Sequence, residues 1–317
     1  MTLQQIVDLV RRRQGNYEPP YVQVDAELVD YANEAVNHIA RETFVIEDAS
    51  TPAVCYLTLS ADTIDYSFDQ RILEIKSASI SGYIGDITQT GSGLSDLSVC
   101  GDYTHDDTNT SFVVYCDAEG TTDTFKWSND GGSTWEATGV SMTGDWQELD
   151  HGMWVKFTAT TGHTAGDYWS WTTYPVNSGL LSRLTTKELY EGSPAWRKST
   201  SGEPTMFSTD YTHNYISFYV PPQYSYLVNM RVTRYPLSQL SSTSMSSQTP
   251  EIPTNYHYAI VEGILAQAYL RKGAETFDDR KAAIHQAIFD KEVQKIKRYN
   301  INLQGCSRNL RPSDGVL

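Results

Sequence analysis

Leu3, Ile6, Val7 and Val10 recur at three- and four-residue intervals, and this spacing predicts a short amphipathic helix over residues 3–13. Thr2 followed by Gln5 has the form of a capping box at its start, and Gly15 with Pro19-Pro20 ends it. A second helix is predicted from Asp25, taken as its cap, to about Phe44. There Leu28, Ala32, Ala35 and Ile39 share one face, and Glu27, Asp30, Glu34 and Arg41 the other.

The period then changes from 3.6 to 2. The runs VCYLTLS and TIDYSF, separated by Ala61-Asp62, predict a hairpin, and ILEIKSASI (72–80) a third strand. From Ser81 to Tyr174 short strand-like runs follow (SFVVYC, TFKWS, WVKFTA, YWSWTTY). Turns such as Asn129-Asp130-Gly131-Gly132 separate them, and no helical period intervenes, a pattern that suits a small β-sandwich. Six of the seven tryptophans fall in this stretch: Trp127, Trp135, Trp146, Trp154, Trp169 and Trp171.

The earlier style then resumes, with a helical turn at Thr186–Leu189 and strands at 215–220 and 226–235. The Ser-rich run 238–250 offers little to bury and predicts an exposed loop or linker. Pro253 opens a helix with Val261, Ile264, Leu265 and Ala268 on one face, and Phe277, Ile284, Ile288, Val293 and Ile296 form another. These two make an antiparallel pair and, with the N-terminal helices, a four-helix core. Residues 301–317 have no period and predict an extended tail that orders on a partner. The expected fold class is therefore α+β, a helical bundle with a small antiparallel β-region plus an inserted all-β sandwich. The expected domains are 1–80, 81–175 (the insertion), 176–300 and the tail 301–317.

Charge sharpens this partition. The chain of 317 residues has a net charge of -15, and residues 81–175 hold 14 acids against 2 bases, leaving 25 against 22 elsewhere. No basic stripe is available to neutralise phosphates, which disfavours sequence-reading nucleic-acid binding and suits a conduit that repels a duplex. No secretory pattern opens the chain and no run approaches ~18 apolar residues, so a cytosolic product without a bilayer span is expected. Cys55, Cys100, Cys116 and Cys306 are scattered and read as free thiols. Cys100 and Cys116 flank one acidic loop and could pair only in oxidising surroundings.

Chemistry-bearing motifs are sparse. The seven histidines lack metal-protease spacing, no serine sits in a G-x-S-x-G elbow, and GSGLS matches no phosphate loop, so no enzyme is expected. In GDYTHDDTNT, Asp102, Asp106 and Asp107 could offer oxygens to calcium. The 12-residue pattern with its bidentate Glu is missing, so a solvent loop is the commoner reading, and neither metal nor cofactor is expected. Strand parity puts Phe125 with Trp127, and Trp169 with Trp171, on core faces. In GMWVKFT the inward set is Met153, Val155 and Phe157, which leaves Trp154 outward beside Lys156. Trp154 is thus the candidate stacking surface for sugar or protein, with shielding against a neighbouring subunit the commoner role.

Two resemblances extend these readings. TFKWSNDGGSTWEATGV, WQEL and VKFTATTGHTAGDYWSW together resemble the immunoglobulin-like β-module of tailed-bacteriophage structural proteins. TLQQIVDLVRRR, DAELVDYANEAVNHIARET, LTTKELYEGSPAWRKSTSGEPT, YISFYVPP, YLVNMRVTRYP and the closing EIPTNYHYAIVEGILAQAYLRKGAETFDDRKAAIHQAIFDKEV resemble the phage head-to-tail adaptor (connector) family over about 1–80 and 180–298. That resemblance implies a structural virion protein at the neck between head and tail, made in the host cytoplasm. It would form a homo-oligomeric ring, dodecameric in the family, beneath the portal. The implied partners are the portal protein and tail tube, nozzle or stopper proteins, with DNA passing through the lumen unread and no membrane involved. Family C-terminal segments dock on the portal, which nominates Arg308, Leu310 and Arg311 as anchors. The alternative is a glycan-binding or host-recognition tail-fibre component acting through Trp154, with Lys156 beside it.

Overall fold

A computed structural model describes residues 1–16, 18–104, 108–176, 179–272 and 274–308. In chain order the elements begin with α1 (Leu3–Gln14), α2 (Asp25–Thr43), β1 (Glu47–Asp48), α3 (Pro52–Cys55), β2 (Tyr56–Thr58), β3 (Asp65–Ser67) and β4 (Ile72–Ile84). There follow β5 (Thr88–Thr90), β6 (Leu97–Gly101), β7 (Thr110–Ala118), β8 (Thr124–Ser128), β9 (Ala137–Ser141), β10 (Gln147–Glu148), β11 (Met153–Phe157) and β12 (Tyr168–Pro175). The chain continues through β13 (Ser182–Arg183), α4 (Thr186–Gly192), β14 (Met206–Ser208), β15 (Tyr215–Tyr219), β16 (Ser225–Arg234), α5 (His257–Leu270) and α6 (Asp279–Arg308).

These elements divide into two compact units, Met1–Glu47 with Thr233–Leu317, and Asp48–Val232. In the first, α1, α2, α5 and α6 share one apolar core that includes Ile6, Leu28, Ile39, Ile260, Leu265, Phe289 and Val293. The capping box at Thr2 and Gln5 is formed, and Gly15 ends α1 in the left-handed region at φ 76°. Asp25 is not the cap of α2. It is the first helical residue after Val24, and its carboxylate takes the Arg11 guanidinium at 2.5 Å. The Ser-rich run is no free linker either. The Leu3 and Gln4 amides donate to the carbonyls of Gln248 and Met245 at 2.9 and 3.0 Å, and Met245 is buried. The first amides of a helix have no partner inside it, and this segment supplies one.

The second unit overturns the expected fold class. The molecule is mostly β, with 29% of its residues helical, and a bundle carrying a small β-region is the wrong description. A nine-stranded sheet runs β1-β16-β4-β12-β7-β8-β9, with β2 added on β16 and β5 on β12. Two further sheets run β10-β11-β6 and β13-β14-β15-β3. The hairpin predicted at 54–68 does not exist: β2 pairs with β16 and β3 with β15, in different sheets. β4 is continuous from Ile72 to Ile84, and its last residues pair with Thr173–Pro175 of β12. Strands read as host and strands read as insertion therefore belong to one sheet. Alternation along a strand is local information, whereas the partner across the ladder is set by packing.

Within 84–171 the strands of the large sheet and of β10-β11-β6 enclose a core of Phe112, Val114, Cys116, Phe125, Val155, Phe157, Trp169 and Trp171. Cys55, Cys100 and Cys116 are buried free thiols, and burial pushes the Cys116 thiol up to about 11.

Candidate functional site

The helical unit is organised around α5, which is apolar on nearly every face because it is enclosed on nearly every face. Gly263 is what lets its neighbours approach. A Cβ there would stand 2.8 Å from the Ala35 Cβ and 3.1 Å from the Phe289 ring. One charge, Glu262, lies buried in this helix. Its Oε1 accepts from the Arg13 guanidinium of α1, and its Oε2 faces His285 Nδ1 of α6 at 2.7 Å, so a single carboxylate ties three helices. His257 at the start of α5 is fully buried with Nε2 2.9 Å from the Ile252 carbonyl, and burial pushes its ring below the ordinary 6.5.

α6 uses Ala282, Phe289, Val293 and Ile296 for the core, and Asn300 donates to the Thr43 carbonyl at 2.9 Å. Its other side exposes Ile284, Ile288, Lys291, Lys295, Tyr299 and Ile301, an apolar stretch followed by a basic one. The helix continues to Arg308, so the extended tail expected from 301 is helical over its first eight residues. At 1.5 Å per residue those eight residues add about 12 Å of helix. Arg308 sits at its end. Leu310 and Arg311 lie outside the described residues.

In the β unit the expected surface pair is only partly available. Met153, Val155 and Phe157 point into the core, as parity requires, and Trp154 and Lys156 point away. Both are half-buried, with Trp154 opposite Cys100 on one side and Glu148 on the other. The exposed tryptophan is Trp135, in the turn after β8. Its residue type and turn were visible in the sequence, but the strand-parity rule that singled out Trp154 says nothing about loop positions.

One end of the 84–171 core is held by carboxylates that no motif connects. His163 is buried between Asp96 and Asp123, its Nε2 2.9 Å from Asp96 and its Nδ1 3.1 Å from Asp123. Asp123 also accepts the Gly120 and His163 amides at 3.1 and 3.0 Å. Burial alone would raise the Asp123 carboxyl, and these donors outweigh it, leaving the group below its usual range. Asp167 accepts the Ser92 and Gly93 amides at 3.1 and 2.6 Å. His163 lies 40 positions from Asp123 and 67 from Asp96, so no spacing could have revealed the group. In the candidate calcium loop, Asp102 accepts from the Asn229 amide at 2.8 Å, while Asp106 and Asp107 lie outside the described residues. No group of three or more His, Cys, Asp or Glu side chains that could hold a metal ion occurs among the described residues. No helix there is long and apolar enough to cross a membrane.

A comparison with protein families matches residues 134–309 to the model described as SU10 adaptor protein. The match begins inside the stretch read as an insertion and takes in β9 to β16, α5 and α6, including Trp135, Trp154, Lys156 and Arg308. A comparison with curated proteins returned no match.

Proposed function

Because this chain belongs to the SU10 adaptor protein family, a family of phage head-tail adaptors, we propose that it is a structural protein of the virion neck that joins head to tail as a ring beneath the portal. The observation that carries this reading is the family match across 134–309, which includes the whole of the α5–α6 pair. α6 supports it physically. Its outer side exposes Ile284, Ile288, Lys291, Lys295, Tyr299 and Ile301, and so has surface left for a partner.

In this reading Arg308, Leu310 and Arg311 anchor the chain on the portal, copies of the chain form the ring, and tail proteins dock on its far side. DNA passes without being gripped, a role favoured by the net charge of -15. The strands of 84–171, whose core also takes in Leu227 of β16, serve as an outward module.

Co-expression with the portal protein of the same virion tests the proposal. Ring-shaped complexes with the portal are expected for the full chain, and a chain ending at Asn300 should remain folded but lose portal binding. A full chain that stays monomeric beside the portal, or fibre-tip labelling of virions by an antibody to residues 81–174, would overturn it.

A further inference from the structure

On the sheet face turned away from the sandwich core, the strand register sets three side chains in a row: Tyr168 of β12 opposite Tyr115 of β7, and Tyr115 opposite Lys126 of β8. Their chain neighbours Trp169, Val114, Cys116 and Phe125 point the other way, into the core. The Tyr115 and Tyr168 rings are 9° from parallel with centroids 6.4 Å apart. Trp135 meets Tyr115 at 6.0 Å and 60°. Lys126 Nζ stands over both rings, 4.5 Å from the Tyr115 centroid and 4.2 Å from that of Trp135.

The platform is preorganised. Three of its members are strand residues. The turn that carries Trp135 is fixed by Asp130, which accepts the Ser133 and Thr134 amides at 2.8 and 2.9 Å and the Ser128 and Thr134 hydroxyls at 2.6 and 2.7 Å. Trp135 is nonetheless 37% exposed. Lys126 makes no ion pair among the described residues, so its ammonium keeps N–H donors for an incoming acceptor.

Charge and area narrow the occupant. With 14 acids against 2 bases in residues 81–175, a polyanion is repelled. Of the three rings only Trp135 is exposed and the two tyrosines are half-buried, so rings of roughly 150–250 Å² each offer at most on the order of 200 Å² together. A stable protein interface needs about 800 Å² from each partner. What fits is a small uncharged ligand with an apolar face to lie on the rings and oxygens to accept from the ammonium. The C–H face and hydroxyls of a sugar ring meet both demands. We propose that Tyr168, Tyr115, Lys126 and Trp135 form a binding site for neutral saccharides. This site goes beyond the neck assignment and does not depend on it.

The test titrates the full chain with cellohexaose, maltohexaose and N-acetylglucosamine hexamer, followed by calorimetry and tryptophan fluorescence. At least one should bind with Kd of about 0.1–1 mM. Trp135→Ala and Lys126→Met should each weaken it about tenfold or more, with unfolding midpoints unchanged, while Trp154→Ala binds as the unaltered chain does. Absence of binding to all three at about 10 mM, or unchanged binding by Trp135→Ala, would overturn the proposal. So would capture of a poly-glutamate peptide in place of the sugars, lost in Trp135→Ala, since that would mark a protein-docking row.

Discussion

The helical unit and the β unit bury their polar groups in different ways. In the helical unit the buried charges are Arg11, Arg234 and Glu262, and Glu262 ties helices that are already aligned by apolar stripes. In the β unit the polar groups Asp96, Asp123, His163 and Asp167 gather at loops, where the three carboxylates accept backbone amides that no strand pairs. A helix satisfies its own backbone except at its ends, whereas loops between strands need side-chain acceptors to be buried at all. All seven tryptophans lie within Asp48–Val232, so tryptophan fluorescence follows the β unit and the far-ultraviolet helix signal chiefly the other.

The largest test of this contrast replaces Asp48–Val232 by a short Gly/Ser linker. The Arg234 amide donates to the Ile46 carbonyl at 3.0 Å, so the two ends to be joined are adjacent, and a cooperatively melting helical protein is expected. A non-cooperative melt would break the two-unit description. Next come core truncations. Trp169→Ala, at a position 1% exposed, should cost about 3–5 kcal/mol and move the fluorescence-detected denaturant midpoint. Leu265→Ala should cost about 2–5 kcal/mol and move the helix signal instead.

Glu262→Ala strands Arg13 and His285 and should cost about 3 kcal/mol, the low end for a broken buried pair because Arg13 is partly exposed and rehydrates. Asp123→Asn should cost about 1–3 kcal/mol in the fluorescence transition.

The pH windows also differ. Asp123 titrates below its ordinary 3.8 in the folded chain, so its contribution is present above that value and is lost as pH falls through it and beyond. His257 titrates below 6.5 when folded, so the unfolded chain takes up a proton that the folded chain refuses, and stability falls as pH drops below 6.5. On acidification the helix signal should therefore weaken at higher pH than the fluorescence signal, and His257→Phe should remove the early loss. The smallest effects are Thr2→Ala in the helical unit and Thr185→Ala in the β unit. Each removes a formed capping box for about 1 kcal/mol, read as a midpoint shift.

Sequence alone identified α1, α2, α5 and α6, the strands β7, β8, β11 and β12, and the core parity of Met153, Val155 and Phe157. Each of these is written in a period or an alternation that one segment carries by itself. It did not identify the partners of β2 and β3, or the docking of 238–250 on α1. Nor did it reveal the sheet shared by β4 and β12, the buried Asp96–His163–Asp123 group, or the row that leaves Trp135 rather than Trp154 exposed. Those depend on which segments, far apart in the chain, supply each other's missing hydrogen bonds and cover each other's apolar faces. Only the assembled tertiary structure decides that, because a residue's period fixes the direction of its side chain and not what it meets there.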